Sequence, residues 1–351
     1  MIAILNAYQN WDRIMTTFID ISHMQQLVRK TGVQQFITEL TGFIDEDYRN
    51  WAHFQKCPRV ANHSALGVIE LMPTASETLY GFKYVNGHPS NADKNNLTVM
   101  AFGALAETDT GYPLLLSELT LATALRTAAT SVLAAKYLAP HHVSTMAVIG
   151  NGAQSEFQIL AFHTLLGINN FRLFDIDPRA SEKLKNNLIE YQAIHLHISD
   201  SVAEAVQGAD IITTITADKK NATIITPCMI SDNVYINAVG GDCPGKTEIH
   251  PDVINRARVV VEYEPQSRIE GEIQNMPASF AVTELWKIMN GNVNNRDFQH
   301  GLTVFDSVGF AIEDFSTLRY IRHLSEKYRI GEKIELVPQP ADPRDLFSYI
   351  K

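Results

Sequence analysis

The sequence predicts an α/β protein: a doubly wound parallel sheet joined to a second, α+β domain. Three observations carry this. Residues 145–155, Thr-Met-Ala-Val-Ile-Gly-Asn-Gly-Ala-Gln-Ser, read as a buried strand, a glycine turn and the start of a helix. From there to about residue 318, strand-length apolar runs alternate with helical patterns, the signature of β-α-β units. Ahead of them, between residues 67 and 118, four strand-length runs follow one another with no helix between.

In chain order, residues 14–42 have apolar side chains at helical spacing, among them Met24, Leu27, Val28, Phe36, Ile37 and Leu40, and are predicted as helix. The runs 67–72, 79–86, 97–107 and 112–118 are separated by turn residues: Pro73, Gly87 to Asn91, and Asp109-Thr110-Gly111. Such strands pair mostly antiparallel, so a domain boundary is expected after them. Charged residues lie within or beside these apolar strands. Glu70 sits in Val-Ile-Glu-Leu-Met and Lys83 in Gly-Phe-Lys-Tyr-Val; Arg59 precedes the first strand. By alternation Lys83 shares a face with Gly81 and Val85, opposite Phe82 and Tyr84. Each charge has two readings: a solvated face, or a pocket with fixed cations for a carboxylate and a fixed anion for an amine. In the second, a charged substrate supplies the partner that a buried charge needs.

Residues 119–138 form an Ala- and Thr-rich helix with Arg126 as its central cation. It is either a structural ion-pair residue or a bidentate donor to phosphate or carboxylate. In the next segment Gly150 permits the tight turn and Gly152 lets backbone approach a pyrophosphate, held at the positive end of the helix. Ser155 replaces the third glycine of the fingerprint. The strand 171–174 ends at Asp175, within the roughly 20–30 positions after the glycine turn where an acid is expected to hydrogen-bond the adenosine ribose. With Asp177 nearby, NAD is favoured over NADP; Arg179 is the counter-signal. Further on come a helix at 178–191, a strand at 193–198, a short helix at 201–207, and strands at 210–216, 235–239, 258–262 and 302–305. His195 and His197 read as surface residues. Ligands bind beyond the carboxyl ends of such strands. This places Asp242 and Lys246, in Gly-Gly-Asp-Cys-Pro-Gly-Lys, where chemistry is expected. Asp242 is either a turn residue or a carboxylate tuned for proton transfer. A helix at 318–328 precedes a Pro-rich tail that returns to the first domain or joins a subunit contact.

Composition bounds the partners. The 351 residues suffice for two domains, and a net charge of −10 argues against general affinity for nucleic acid or anionic membrane. Cys57, Cys228 and Cys243 have no C-x-x-C spacing; reduced thiols in a cytoplasmic protein are expected, and neither a zinc site nor a disulfide framework. Residues 1–9 lack the basic start and the length of a secretory leader, and no run is long enough to span a membrane.

Four segments together resemble the ornithine cyclodeaminase/mu-crystallin family: Lys83-Tyr84-Val85-Asn86-Gly87-His88-Pro89, Thr123-Ala124-Leu125-Arg126-Thr127-Ala128-Ala129, Gly150-Asn151-Gly152-Ala153-Gln154, and Val239 to Glu248. The resemblance spans about residues 45 to 320, and Gly-Asp-Cys-Pro-Gly-Lys is most like the bacterial cyclodeaminases. It implies a Rossmann-type NAD domain, at 131–318, and a substrate and dimerisation domain from 1–130 and 319–351. It implies a cytoplasmic homodimer, a lyase of ornithine catabolism and proline biosynthesis, that converts L-ornithine to L-proline and ammonia. NAD is regenerated within each turnover and acts as cofactor. Carried over by motif, Arg59, Lys83 and Arg126 hold the substrate α-carboxylate, with Glu70 in the same pocket. Asp242 is the acid/base, Val308 touches substrate, and Asp242, Glu70 and Lys83 form the catalytic set. Thr98, Arg126, Gly150, Gly152, Ala153, Gln154, Asp175, Thr216, Val239, Lys246 and Ser307 line the cofactor. Rival readings are an NAD(P)H-dependent ketimine reductase or amino-acid dehydrogenase, a lysine cyclodeaminase, and a non-catalytic binding protein on the same scaffold.

Overall fold

The computed structural model describes residues 15–217 and 223–351. The apolar start at 1–9 and Ile14 lie outside these residues. The chain opens with β1 (Thr16–Ile19), then α1 (Ile21–Thr31) and α2 (Val33–Arg49). The single helix expected over 14–42 is therefore a strand and two helices. Thr-Thr-Phe-Ile pairs with two other strands, which outweighs its helical periodicity. Asp20 caps α1 by accepting the His23 N–H at 2.8 Å, and Gly32, at φ +85°, ends it.

Next come β2 (Gln55–Lys56), β3 (Val60–Ser64), β4 (Gly67–Ala75), β5 (Leu79–Gly87), β6 (Val99–Glu107), β7 (Pro113–Glu118) and α3 (Thr120–Leu138). β4 to β7 form an antiparallel meander, as their turns predict. β1 joins it parallel to β7, a pairing that periodicity did not reveal.

The second half runs β8 (Thr145–Ile149), α4 (Ser155–Leu166), β9 (Asn170–Phe174), α5 (Pro178–Asn187), β10 (His195–Ile198), α6 (Val202–Val206), β11 (Ile211–Thr214), β12 (Tyr235–Ala238), α7 (Pro251–Arg256), β13 (Arg258–Val261), α8 (Glu264–Glu270), β14 (Thr283–Glu284), α9 (Leu285–Met289) and β15 (Thr303–Asp306). These strands build one parallel sheet in the order β10-β9-β8-β11-β12-β15-β13-β14. The order reverses beside β8, where a doubly wound sheet opens its ligand crevice. Phe174, Ile149, Thr214, Ala238, Asp306 and Val261 share one register row. The loops that follow them therefore meet along one edge.

α10 (Ala311–Tyr328) then packs behind the first sheet with α2 and α3, and β16 (Glu332–Ile334) pairs antiparallel with β1. The tail thus adds a strand to the first sheet. Both boundaries expected from the sequence, 130/131 and 318/319, fall inside continuous helices, α3 and α10. These two helices carry polar side chains from one sheet to the other.

Candidate active site

Three buried cations meet where α3, α10 and the first sheet converge. The Lys83 ammonium, 1% exposed on the inner face of β5, donates to Asp314 Oδ1 at 2.8 Å. Arg126 reaches the same oxygen through Nε at 3.1 Å and Glu313 Oε2 through Nη1 at 2.9 Å. Arg59 donates Nη1 to Glu70 Oε2 at 3.1 Å and Nη2 to the Val308 and Gly309 carbonyls, both at 2.7 Å. Its Nε lies 3.0 Å from Glu270 Oε2, an ion pair by distance that lacks the alignment of a hydrogen bond. The solvated-face reading of Glu70 and Lys83 is overturned, because both are buried, Glu70 against Arg59 and Lys83 against Asp314 of α10. For Arg126 the ion pair is what its contacts show.

Burial sets the protonation of this cluster. It is the main cause that lowers Lys83 to about 8; Arg126 adds to it and Asp314 opposes it. Glu270 is pushed up to about 7, by burial first, with Arg59 opposing and with Glu70 and Asp242 adding. Glu262, at the end of β13, is pushed up to about 8 by burial and then by Glu313. Its carboxylate accepts from Ser307 Oγ at 2.6 Å and from the Val308 and Gly309 N–H groups at 3.1 and 3.2 Å. Glu262 thereby holds the turn whose carbonyls hold Arg59. Gly309 has φ +77°, and a Cβ there would stand 2.7 Å from the Arg126 guanidinium.

A second polar layer supports the loop after β12. Thr216 donates to the Glu248 carboxylate through both N–H and Oγ1. The Glu248 N–H donates to Glu272 at 2.8 Å, and the Glu272 N–H to Asp306, also at 2.8 Å. Gly240 and Gly241 lie flat on this ladder; a Cβ on either would overlap the Glu248 or Glu272 carboxylate. Above it, Lys246 Nζ donates to the Thr216 carbonyl at 2.7 Å and stands 3.5 Å from Asp242 Oδ1. The Asp242 side chain is 55% exposed. A cleft of about 370 Å³ joins Cys243 and Pro244 of this loop to His63, Leu66 and Val68 of the β3–β4 hairpin and to Pro89.

The glycine turn fits a dinucleotide. Gly150 is at φ +95°, and a Cβ there would lie 2.8 Å from the Ile215 carbonyl. The Asn151 N–H donates to Asp175 at 2.6 Å, which ties that acid to the turn. No side chain caps α4, and Gln154 Oε1 is buried without a partner. The first turn of α4 thus carries no side-chain acceptor, and a helix N-terminus of that kind can receive an anion. Arg179 is committed to Asp177, Nη2 to Oδ2 at 2.9 Å, so the counter-signal for NADP is spent within the loop. Gly152 is not forced by sterics, since a Cβ there meets nothing within 4 Å.

The structure therefore joins Arg59 to Glu70 and Val308 by direct contact and Lys83 to Arg126 through Asp314, with the three cations facing one another, and Asp242 facing Arg59, electrostatically. Gly150, Gly152, Ala153, Gln154 and Asp175 form a second group, and Thr216, Val239 and Lys246 a third. Ser307 joins the cluster through Glu262, and Thr98 lies just before β6, its carbonyl accepting the His88 N–H at 2.8 Å. His195 and His197 are exposed as expected. No group of metal-ligating residues occurs among the described residues. Sequence reasoning missed Glu262, Glu270, Glu313 and Asp314. Two adjacent acids in the apolar stretch Phe-Ala-Ile-Glu-Asp-Phe were the signal available for the last pair.

The model of the ornithine cyclodeaminase/mu-crystallin family matches residues 21–328. An ornithine cyclodeaminase of Brucella suis biovar 1 (strain 1330) is 54% identical over 333 residues, 95% of this chain and 93% of that protein. Among solved structures, a lysine cyclodeaminase described with L-lysine, L-ornithine and L-2,4-diaminobutyric acid superposes with TM-score 0.88 at 26% identity, covering 95% of this chain and 99% of the other. An archaeal alanine dehydrogenase dimer with bound NAD gives 0.84 at 27% identity, over 92% and 100%.

Proposed function

This chain belongs to the ornithine cyclodeaminase/mu-crystallin family, and from that membership we propose what it does and how its site works. It is an NAD-dependent enzyme that converts L-ornithine to L-proline and ammonia. The observation that carries this reading is identity of 54% across 95% of the chain to a bacterial ornithine cyclodeaminase. The buried cation cluster beside Asp242 supports it.

When bound, NAD accepts a hydride from the α-carbon and returns it to the cyclic imine. The residues do the rest. Arg59, Lys83 and Arg126 orient the substrate α-carboxylate, with the Val308 backbone holding Arg59 in place. Glu70, hydrogen-bonded to Arg59, faces the same substrate. Asp242 exchanges protons with a substrate amine from the loop after β12. Asp175, Gln154 and Ala153 take the adenosine and phosphate end of the cofactor; Thr98, Thr216, Val239, Lys246 and Ser307 line the rest. Ring closure is intramolecular, and the fixed carboxylate anchor contributes by holding the δ-amine in the conformer that meets the α-carbon.

The working form is a cytoplasmic homodimer at the proline-forming end of ornithine breakdown. Three cysteines outside any disulfide support the compartment. No helix among the described residues is long and apolar enough to cross a membrane. Ile69, Leu71, Tyr80, Met100 and Phe102 form an exposed apolar patch on the outer face of β4 to β6, of the kind that pairs subunits.

The test is incubation with L-ornithine and NAD⁺ while ammonia, proline and nicotinamide absorbance are followed together. Equal ammonia and proline with no net NADH is the expected result. Stoichiometric NADH would replace this reading with an oxidative dehydrogenase, and faster pipecolate formation from L-lysine would make lysine the substrate.

A further inference from the structure

We propose that Glu270 is the acid–base residue for the substrate's α-nitrogen, leaving Asp242 to serve the distal amine. The proposal rests on the cyclodeaminase reading above and assigns a residue that the motifs do not contain.

Three observations carry it. First, Glu270 is buried but not committed. It ends α8 at 2% exposure, and its Oε2 is fully enclosed yet takes no hydrogen bond, with only the unaligned Arg59 Nε at 3.0 Å. Glu70, on the other side of Arg59, does take a hydrogen bond. Second, the charges do not cancel. Arg59, Lys83 and Arg126 contact the four carboxylates Glu70, Glu270, Glu313 and Asp314. An excess buried carboxylate is costly without a cation or a proton, and a substrate ammonium is such a cation. Third, position separates the two amines. The α-nitrogen shares its carbon with the carboxylate, so a group touching the carboxylate anchor Arg59 meets that nitrogen. Asp242, with its side chain 55% exposed on a loop at the cleft, is left for the amine three carbons away. The charged groups that face Glu270 are Arg59 from the segment before β3, Glu70 from β4 and Asp242 from the loop after β12. Burial raises its carboxyl first, Arg59 opposes and Glu70 and Asp242 add, which leaves it at about 7, where it both takes and returns a proton.

The chemistry balances on one nitrogen. The α-ammonium gives a proton to Glu270, and the freed lone pair becomes the C=N π bond as the Cα–H bond is oxidised at the expense of NAD⁺. The δ-ammonium gives a proton to Asp242, and its lone pair forms the C–N bond to Cα while the π pair returns to the α-nitrogen. Asp242, exposed at the cleft, passes that proton to solvent and then takes one proton from the ring ammonium. Glu270 returns its proton to the α-nitrogen, the Cα–N bond breaks with its pair on departing ammonia, and the ring nitrogen's pair forms the cyclic imine.

The experiment separates the two halves of the reaction in the full chain. NAD⁺-loaded wild type, Glu270→Gln and Glu270→Asp are mixed with L-ornithine, and bound NADH is followed in a single turnover. The same proteins loaded with NADH are mixed with Δ1-pyrroline-2-carboxylate, and proline is followed. Reduction of the preformed imine involves no α-nitrogen. The expected result for Glu270→Gln is a loss of about 10²-fold or more in ornithine oxidation against a change of a few-fold in imine reduction. Glu270→Asp recovers part of the first. In the wild type, ornithine oxidation falls as pH drops below about 7, a limb absent from imine reduction. Equal losses in both halves would reduce Glu270 to a packing residue, and unchanged ornithine oxidation would remove it from the mechanism. Failure of the wild type itself to form proline would instead overturn the cyclodeaminase reading.

Discussion

At the scale of single residues, the site is defined by what each charge touches. Asp242 is the one catalytic candidate with an exposed side chain, so Asp242→Asn removes a proton acceptor without opening a cavity. Proline formation is expected to fall by about 10²-fold or more while NAD affinity, read by fluorescence titration, changes little. Retained turnover in that variant would sink the role. Gly309 is the opposite kind of position. Its φ of +77° disfavours any side chain, and the Arg126 guanidinium fills the space a Cβ needs. Gly309→Ala should cost about 1–3 kcal/mol of strain. Because that turn also aims Arg59, the same change should raise the KM for ornithine; thermal unfolding and steady-state kinetics together check both effects.

At the scale of elements, the parallel strands end in one row and the loops beyond them are tied to one another by carboxylates. Glu272 accepts two backbone N–H groups, from Glu248 at 2.8 Å and Ile249 at 3.0 Å. Glu272→Ala leaves both buried and unpaired, at about 1–3 kcal/mol each. The expected outcome is a lower unfolding midpoint and weaker NAD binding, since Lys246 and Thr216 rest on the same ladder. Unchanged NAD affinity would mean that the loop holds its shape without the ladder.

At the scale of the whole molecule, many buried carboxyls make stability depend on pH. Glu262, Glu270 and Asp306 are raised from ordinary values of 4.5 or 3.8 to about 8, 7 and 7, with burial the first cause in each. The folded state thus holds more protons than the unfolded one between these limits. The stability they contribute is fully present below their unfolded values and is lost as pH rises through 7 to 8. Lys83, lowered to about 8, acts in the opposite sense only above that pH. The unfolding midpoint is expected to fall from about pH 5.5 to pH 8, as scanning calorimetry would show. A rising midpoint over that range would mean that these carboxyls stay ionised in the folded protein. The exposed apolar patch on β4 to β6 sets a further expectation at this scale, a dimeric mass in solution by light scattering; a monomer would remove the subunit contact assigned to that sheet.

The sequence by itself determined the strand–glycine–helix turn, the β-α alternation, the antiparallel meander and the acid at position 175. These are patterns written within one or two elements, because side-chain periodicity and turn chemistry act over a few residues. Apolar context and topology singled out Arg59, Glu70, Lys83, Arg126, Asp175, Asp242 and Lys246, and resemblance supplied the roles given to them. The counter-charges came only from the tertiary structure. Lys83 and Asp314 are 231 residues apart, Arg126 and Asp314 are 188, and Arg59 and Val308 are 249. The parallel pairing of β1 with β7, which takes Thr16–Ile19 out of what periodicity predicts as one helix, was likewise decided by distant strands. A buried charge can be recognised locally by its apolar neighbours. The identity of its partner depends on which elements the fold closes over it, and no local pattern records that.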